Sequence, residues 1–208
     1  MTSIFKKIKS ISKIQLLALV LIILGLAVMI SKGLGMLDFY KEVRFAQEHN
    51  FKAGNLSPDL LRPWMTIRYI SVAYAVPQKY LFDVSGIQPK EENSMIALNH
   101  LNSHMRLGLA DGRPVLMNMI RDAIIKYRAN PVVTGLIERH VAEWMSVQYI
   151  ANSTGIPAES IFQDLGIPLA GNAYLPLAPL SDEVNYPGGP RALVAAVQSI
   201  VDRQQVKP

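Results

Sequence analysis

Two stretches of the chain carry one pattern: WMTIRYISVAYAVPQKYLFDVSGI at residues 64–87 (copy 1) and WMSVQYIANSTGIPAESIFQDLGI at residues 144–167 (copy 2). They align without a gap at an offset of 80 residues, and eight of the 24 aligned positions are identical. The two tryptophans of the chain are the first residues of the two copies. Because a repeat defines the unit of architecture, the sequence predicts a small domain that occurs twice.

Each copy is predicted to be a helix, a tight turn and a second short helix. In copy 1, Ile67 and Ile70 are spaced as on one helical face, and Thr66 precedes them as an N-cap. Pro77 then ends the first helix, and the second spans 78–85. The equivalent features of copy 2 are Ser146 as N-cap, Pro157, and a second helix over 158–165. Both second helices end at a glycine that can adopt the left-handed conformation.

Twelve recurring positions are predicted to form the packed core of the repeat. The aromatic members could instead line a ligand cage, but their helical spacing favours a core. The positions are Trp64, Tyr69, Ile70, Pro77, Phe82, Gly86, Trp144, Tyr149, Ile150, Pro157, Phe162 and Gly166.

The likeness between the copies continues downstream of each. A Leu-x-x-Leu segment follows at Leu98–Leu101 and again at Leu177–Leu180, and each is followed by a longer helix-like run. The sequence therefore predicts an all-α fold with two tandem helical repeat units, 57–130 and 131–208, separated at Asn130-Pro131.

The amino-terminal segment has the features of a membrane anchor. Four lysines in a basic tail, 1–13, precede an apolar run in which only Gln15 is polar between Ile14 and Ile30. This run is longer than the hydrophobic part of a secretory signal, so an uncleaved transmembrane helix over 14–32 is favoured over a cleaved signal. A linker helix is predicted for 33–56. The lysines before the span place the amino terminus in the cytoplasm and the repeats outside it, with the chain in the bacterial inner membrane.

The positive charge of the chain belongs to this anchor. All five surplus positive charges lie before residue 37, and residues 37–208 carry 16 basic and 16 acidic residues. Nucleic-acid binding depends on phosphate neutralisation, so the composition disfavours a nucleic-acid partner.

The segment from Met65 to Gly86 resembles a helix-turn-helix, the module that reads the major groove in many bacterial regulators. Met145-Ser-Val, Gly155-Ile-Pro157 and Leu165-Gly-Ile-Pro168 are also similar to helical repeats of uncharacterised bacterial membrane proteins, some of them fused to cytochrome-like membrane segments. The first resemblance implies DNA binding. The second implies a host complex of electron-transfer or photosynthetic type.

Few residues suggest reaction chemistry. His100 and His104 are four residues apart, a spacing that suits a helical metal site, but the pattern supplies no third ligand. Asn99 and Asn102 indicate a polar, loop-like segment there. Glu138, Arg139, His140 and Glu143 are predicted to form a solvated helical face, and Asn152-Ser-Thr154 matches a glycosylation acceptor by coincidence.

Without a recognisable reaction motif or cysteine, the sequence predicts no enzyme, no bound metal and no cofactor. The favoured hypothesis is a non-catalytic accessory or assembly subunit of a larger bacterial membrane complex, held in the membrane by 14–32 and contacting other proteins of that complex through its repeats. Two alternatives remain open. One is a membrane-tethered DNA-binding regulator with cytoplasmic repeats, and the other is a metal-binding protein or enzyme centred on His100 and His104.

Overall fold

The computed structural model of the protein describes Ile22, residues 56–138 and residues 140–205. The predicted basic tail, transmembrane helix and linker helix lie outside the described residues, apart from Ile22 and Leu56. Within the described part of the chain, no helix is both long and apolar enough to cross a bilayer.

The described residues form an all-α fold with one very short β-hairpin. A single 3₁₀ turn, Pro58–Leu60, precedes the first helix, and Ser57 caps it. The helices of residues 56–205 are α1 (Ile67–Tyr74), α2 (Gln78–Ser85), α3 (Glu91–Ser94), α4 (Leu98–His104), α5 (Val115–Ala129), α6 (Val147–Thr154), α7 (Ala158–Leu165), α8 (Leu177–Glu183) and α9 (Gly189–Gln205). The strands β1 (Leu109–Ala110) and β2 (Arg113–Pro114) pair antiparallel between α4 and α5.

The two copies fold alike because their caps are alike. Thr66 accepts a hydrogen bond from the amide of Tyr69, and Ser146 accepts the equivalent bond from Tyr149. These bonds satisfy one of the free amides at the start of α1 and of α6, as the sequence predicts. Both second helices end at a left-handed glycine, also as predicted.

Backbone contacts repeat between the copies as well. Met65 accepts a hydrogen bond from the amide of Leu98 at 2.9 Å, and Met145 accepts the matching bond from Leu177 at 2.8 Å. Each tryptophan also packs on the tyrosine five residues later, with ring centroids 5.3 Å and 5.5 Å apart. The likeness therefore extends from sequence to three-dimensional contacts.

A long helix closes each half in the same way. Helix α5 packs on α2 and α4, and helix α9 packs on α7 and α8. The second half has a continuous apolar core that includes Phe162, Leu180 and Val197. The apolar face of each long helix is therefore used to cover the short helices.

Two local predictions were wrong. The segment around Glu138, His140 and Glu143 is a bent, non-helical approach to copy 2, and Glu138 is half-buried rather than solvated; Arg139 lies outside the described residues. Asn99 and Asn102 lie in α4 rather than in a loop. Asn102 is buried there, because its side chain accepts a bond from the amide of Leu116 and donates one to the carbonyl of Gly108.

The described residues of the range 56–205 belong to one compact unit. The division of that unit into 57–130 and 131–208 stays a prediction, although the repeated contacts agree with it.

Candidate functional site

Copy 1 contacts copy 2, and the segment that leads into copy 2, through polar side chains. Gln78, at the start of α2, donates from Nε2 to Oε1 of Glu138 at 3.2 Å. Asn152 in α6 donates from Nδ2 to the carbonyl of Ala75 at 2.6 Å, and it accepts a bond from Gln148. The hydroxyl of Tyr127 reaches the Asn152 carbonyl at 3.5 Å. The side chain of Asn152 therefore fastens α6 to the turn of copy 1, which explains why the sequence Asn152-Ser-Thr154 need not mark a glycan site.

Arg68 provides a second link between the copies. Its guanidinium carbon lies 4.8 Å from the ring centroid of Trp144, in the range of a cation–π contact. The same guanidinium pairs with Glu91 at 3.1 Å, and this carboxylate is largely exposed while the Arg68 side chain is mostly buried. The arginine is thus held between the start of copy 2 and the solvent-facing side of copy 1.

Five side chains at this contact have a buried polar atom without a hydrogen-bond partner. We call this group the junction; the atoms are Arg68 Nε, Gln78 Oε1, Glu138 Oε2, Tyr149 Oη and Ser153 Oγ. Gln78, Tyr149 and Ser153 are almost completely buried. Because a buried polar group without a partner costs roughly 1–3 kcal/mol, such a concentration is unusual for a packed helical core.

Burial changes the ionisation of the junction. Burial raises the pKa of Glu138. A hydrogen bond from its own backbone amide, the charge of Arg68 and the hydrogen bond from Gln78 lower this pKa, and they only partly oppose the effect of burial. Burial also raises the pKa of Tyr149, and the nearby Glu138 raises it further. Ser153 and Gln78 lie close enough to lower the pKa of Tyr149 without reaching hydrogen-bond geometry. Burial therefore shifts the ionisation of both groups toward the neutral form.

The junction brings together groups that bind protons, but it lacks the arrangement of a reaction centre. No serine or threonine of the junction is hydrogen-bonded to a base. Concave surfaces lie elsewhere: a 10 Å³ cavity beside Leu61 and Met117, and an open polar depression of 350 Å³ beside Asp111 and Arg121. Neither combines a nucleophile with a general base.

The two turns of the copies differ in exposure. In copy 1 every residue from Ser71 to Gln78 is buried, including the turn residues Ala75 and Pro77. In copy 2 the equivalent Gly155 and Pro157 are exposed. Asn152 of copy 2 contacts the buried turn of copy 1 through a hydrogen bond, and nothing in the described part of the chain buries the turn of copy 2 to the same extent.

The twelve predicted core positions fall into three groups. Six are buried, three are half-buried and three are exposed. The exposed residues are Gly86, Gly166 and Pro157, whose roles are in the backbone rather than in the core. The half-buried residues are Trp64, Tyr69 and Trp144, and the buried ones are Ile70, Pro77, Phe82, Tyr149, Ile150 and Phe162.

The histidine pair lies on α4, with His100 and His104 both exposed. Among the described residues, no group of three or more His, Asp or Glu side chains is placed to hold a metal ion. The structure therefore does not bring Glu91, Glu92 or His140 to the pair as a third ligand.

The exposed faces of the two second helices are poorly suited to DNA. On α2, Lys79 is neutralised by Asp83 at 2.8 Å. On α7 the exposed residues include Glu159, Gln163 and Asp164, and Asp164 pairs with Arg203. Acids on the helix that would enter the groove repel phosphates, so the geometry disfavours base reading.

Sequence reasoning missed the junction, although the sequence holds a signal for it. Arg68, Gln78 and Asn152 occupy positions at which the other copy has Gln148, Ala158 and Val72. A contact between the two copies uses different residues on its two sides, so positions that differ between the copies are candidates for that contact. Positions that are identical in both copies indicate only the shared core.

Comparison of the chain with protein-family models, with curated proteins and with solved structures gives no significant match.

Proposed function

We propose that this chain is a non-catalytic accessory or assembly subunit of a larger bacterial membrane complex. In this proposal, residues 14–32 hold it in the inner membrane with its amino terminus in the cytoplasm, and the repeats contact other proteins on the opposite side. An electron-transfer or photosynthetic host complex is suggested only by the resemblance to helical repeats that are fused to cytochrome-like membrane segments.

One observation carries the proposal: the same helix-turn-helix unit occurs once with its turn covered and once with its turn exposed. In copy 1, protein covers the turn, with a hydrogen bond from Asn152 to Ala75. In copy 2, Gly155 and Pro157 are exposed, and the neighbouring Val132 and Val133 are exposed apolar residues. The partner we propose is a protein segment of the host complex that covers the turn of copy 2 as copy 2 covers that of copy 1.

The test is the size of the full-length protein after gentle detergent extraction from its native membrane. We expect it to migrate well above the size of a monomer in its micelle and to bring stoichiometric partner proteins with it. Val133→Asp should release the partners, because it places a carboxylate on the exposed apolar surface beside Gly155. A monomer without a stoichiometric partner would contradict the proposal.

Ile125→Asp is the matched control. Ile125 is an exposed apolar residue of similar accessibility, 52% against 63% for Val133, but it lies on α5. The Ile125 variant should keep the partners. Loss of partners in both variants would mean that the turn of copy 2 is not the contact surface.

A further inference from the structure

Glu138 and Gln78 share one hydrogen bond, and each keeps one side-chain oxygen atom that has no partner. Gln78 Nε2 donates to Glu138 Oε1 at 3.2 Å, which uses one atom of the amide and one of the carboxyl group. The remaining atoms of the two groups, Gln78 Oε1 and Glu138 Oε2, are both buried and both without a partner. An amide oxygen and a carboxylate oxygen are both acceptors, so the ionised pair cannot satisfy them by bonding to each other.

We propose that Glu138 is protonated in the closed junction and forms a cyclic acid–amide pair with Gln78. A proton from solvent binds Glu138 Oε2, and the resulting hydroxyl donates to Gln78 Oε1. The Gln78 Nε2–H group keeps its bond to Glu138 Oε1. One proton thereby satisfies both orphaned atoms and removes a partly buried negative charge.

The surrounding groups favour this assignment. Among the described residues, the charge of Arg68 of α1 lowers the pKa of Glu138, but no ion pair joins the two side chains. The guanidinium contacts Glu91 of α3 through one terminal nitrogen and the ring of Trp144 through its face, and its Nε makes no hydrogen bond to Glu138. Glu91 itself opposes a second negative charge nearby, and Tyr149 of α6 is a neutral neighbour.

Because Gln78 belongs to copy 1 and Glu138 leads into copy 2, the proton strengthens the contact between them. A carboxyl group whose pKa is raised by folding stabilises the folded state below its ordinary pKa. That stabilisation is lost as the pH rises through the raised pKa. Acidification therefore tightens the junction, and a rise in pH loosens it. This contact is a property of the chain alone and needs no partner protein.

The first experiment measures the titration of Glu138 directly. Full-length protein in detergent, labelled with ¹³C at the glutamate carboxyl carbons, is followed by NMR from acid to neutral pH. The Glu138 signal is identified as the one missing from Glu138→Gln. We expect its midpoint to lie above the ordinary range of a solvent-exposed glutamate, because burial raises the pKa of Glu138. A midpoint within or below that range would overturn the proposal.

The second experiment compares the unfolding temperature of three proteins across the same pH range. Glu138→Gln carries a neutral amide that can pair with Gln78 as the acid does, so it should match the wild type at low pH and exceed it at neutral pH. Glu143→Gln is the control and should keep the wild-type pH profile.

A lower unfolding temperature of Glu138→Gln at neutral pH would contradict the proposal, because it would show that the ionised carboxylate stabilises the junction through Arg68. Failure of Glu138→Gln to fold would contradict it in the same way, since a neutral side chain of this shape should replace the acid.

Discussion

The turn of copy 1 and the turn of copy 2 join equivalent helices, but they meet different surroundings. Ala75 adopts a left-handed φ of 51° and is buried, whereas Gly155 adopts a left-handed φ of 79° and is exposed. Glycine is therefore used at the exposed turn, and alanine is used at the buried turn, where Asn152 of copy 2 donates a hydrogen bond to the Ala75 carbonyl. The two turns therefore have the same backbone conformation but differ in their burial.

The difference shows how a duplicated unit can gain a new contact without changing its fold. The caps are equivalent in the two copies, so each copy carries the local signals that begin and end its own helices. Substitutions on the outer surface, among them Gln78 and Asn152, then join the copies. The outer positions of a repeat are free to change because they do not determine its local structure.

The largest loss of stability is expected from substitutions in the apolar cores that the two copies share. Phe82→Ala and Phe162→Ala each remove a fully buried ring, and each should lower the free energy of unfolding by about 3–5 kcal/mol. Chemical denaturation of the full chain in detergent measures both losses. Closely similar losses of unfolding free energy would support the equivalence of the two cores. A loss in only one of the two variants would contradict that equivalence.

A smaller effect is expected where copy 2 covers copy 1. Asn152→Val introduces the residue that copy 1 has at this position, Val72, and removes the donor to the buried carbonyl of Ala75. The expected loss is about 1–3 kcal/mol, because a buried acceptor is left without its partner. Gln163→Ala, at an exposed position of the same copy, should change stability by less than about 0.5 kcal/mol. Equal effects of the two would show that the covered turn contributes nothing measurable.

The smallest effects are expected from exchanging the turn residues. Gly155→Ala should cost about 1–2 kcal/mol, because a side chain is strained at this φ and the new methyl carbon would lie 3.2 Å from Val133. Ala75→Gly should be nearly neutral, since relief of backbone strain offsets the lost methyl contact and the greater freedom of the unfolded chain.

Combining Gly155→Ala with Val133→Ala separates the two causes. Thermal unfolding of this double variant should recover the part of the loss that is due to the close contact with Val133. No recovery would assign the whole effect to the backbone.

The sequence was sufficient for the local elements. The bounds of α2 and α7 coincide with the predicted 78–85 and 158–165, and both predicted N-caps are present. These features depend on residues within about four positions along the chain, so the pattern contains what is needed to predict them. The bent segment around Glu138 was misread as helical because a run of charged residues before Trp144 has no local signal that distinguishes a helix from an extended approach.

The sequence by itself determined that the chain carries one helical unit twice, with its caps, its turns and its buried faces. The tertiary structure alone decided which turn is covered and that Glu138 meets Gln78. That contact joins residues 60 positions apart, and the bond from Asn152 to Ala75 joins residues 77 apart. Helical periodicity and capping act over a single turn of chain, whereas contacts at such separation depend on how whole helices pack.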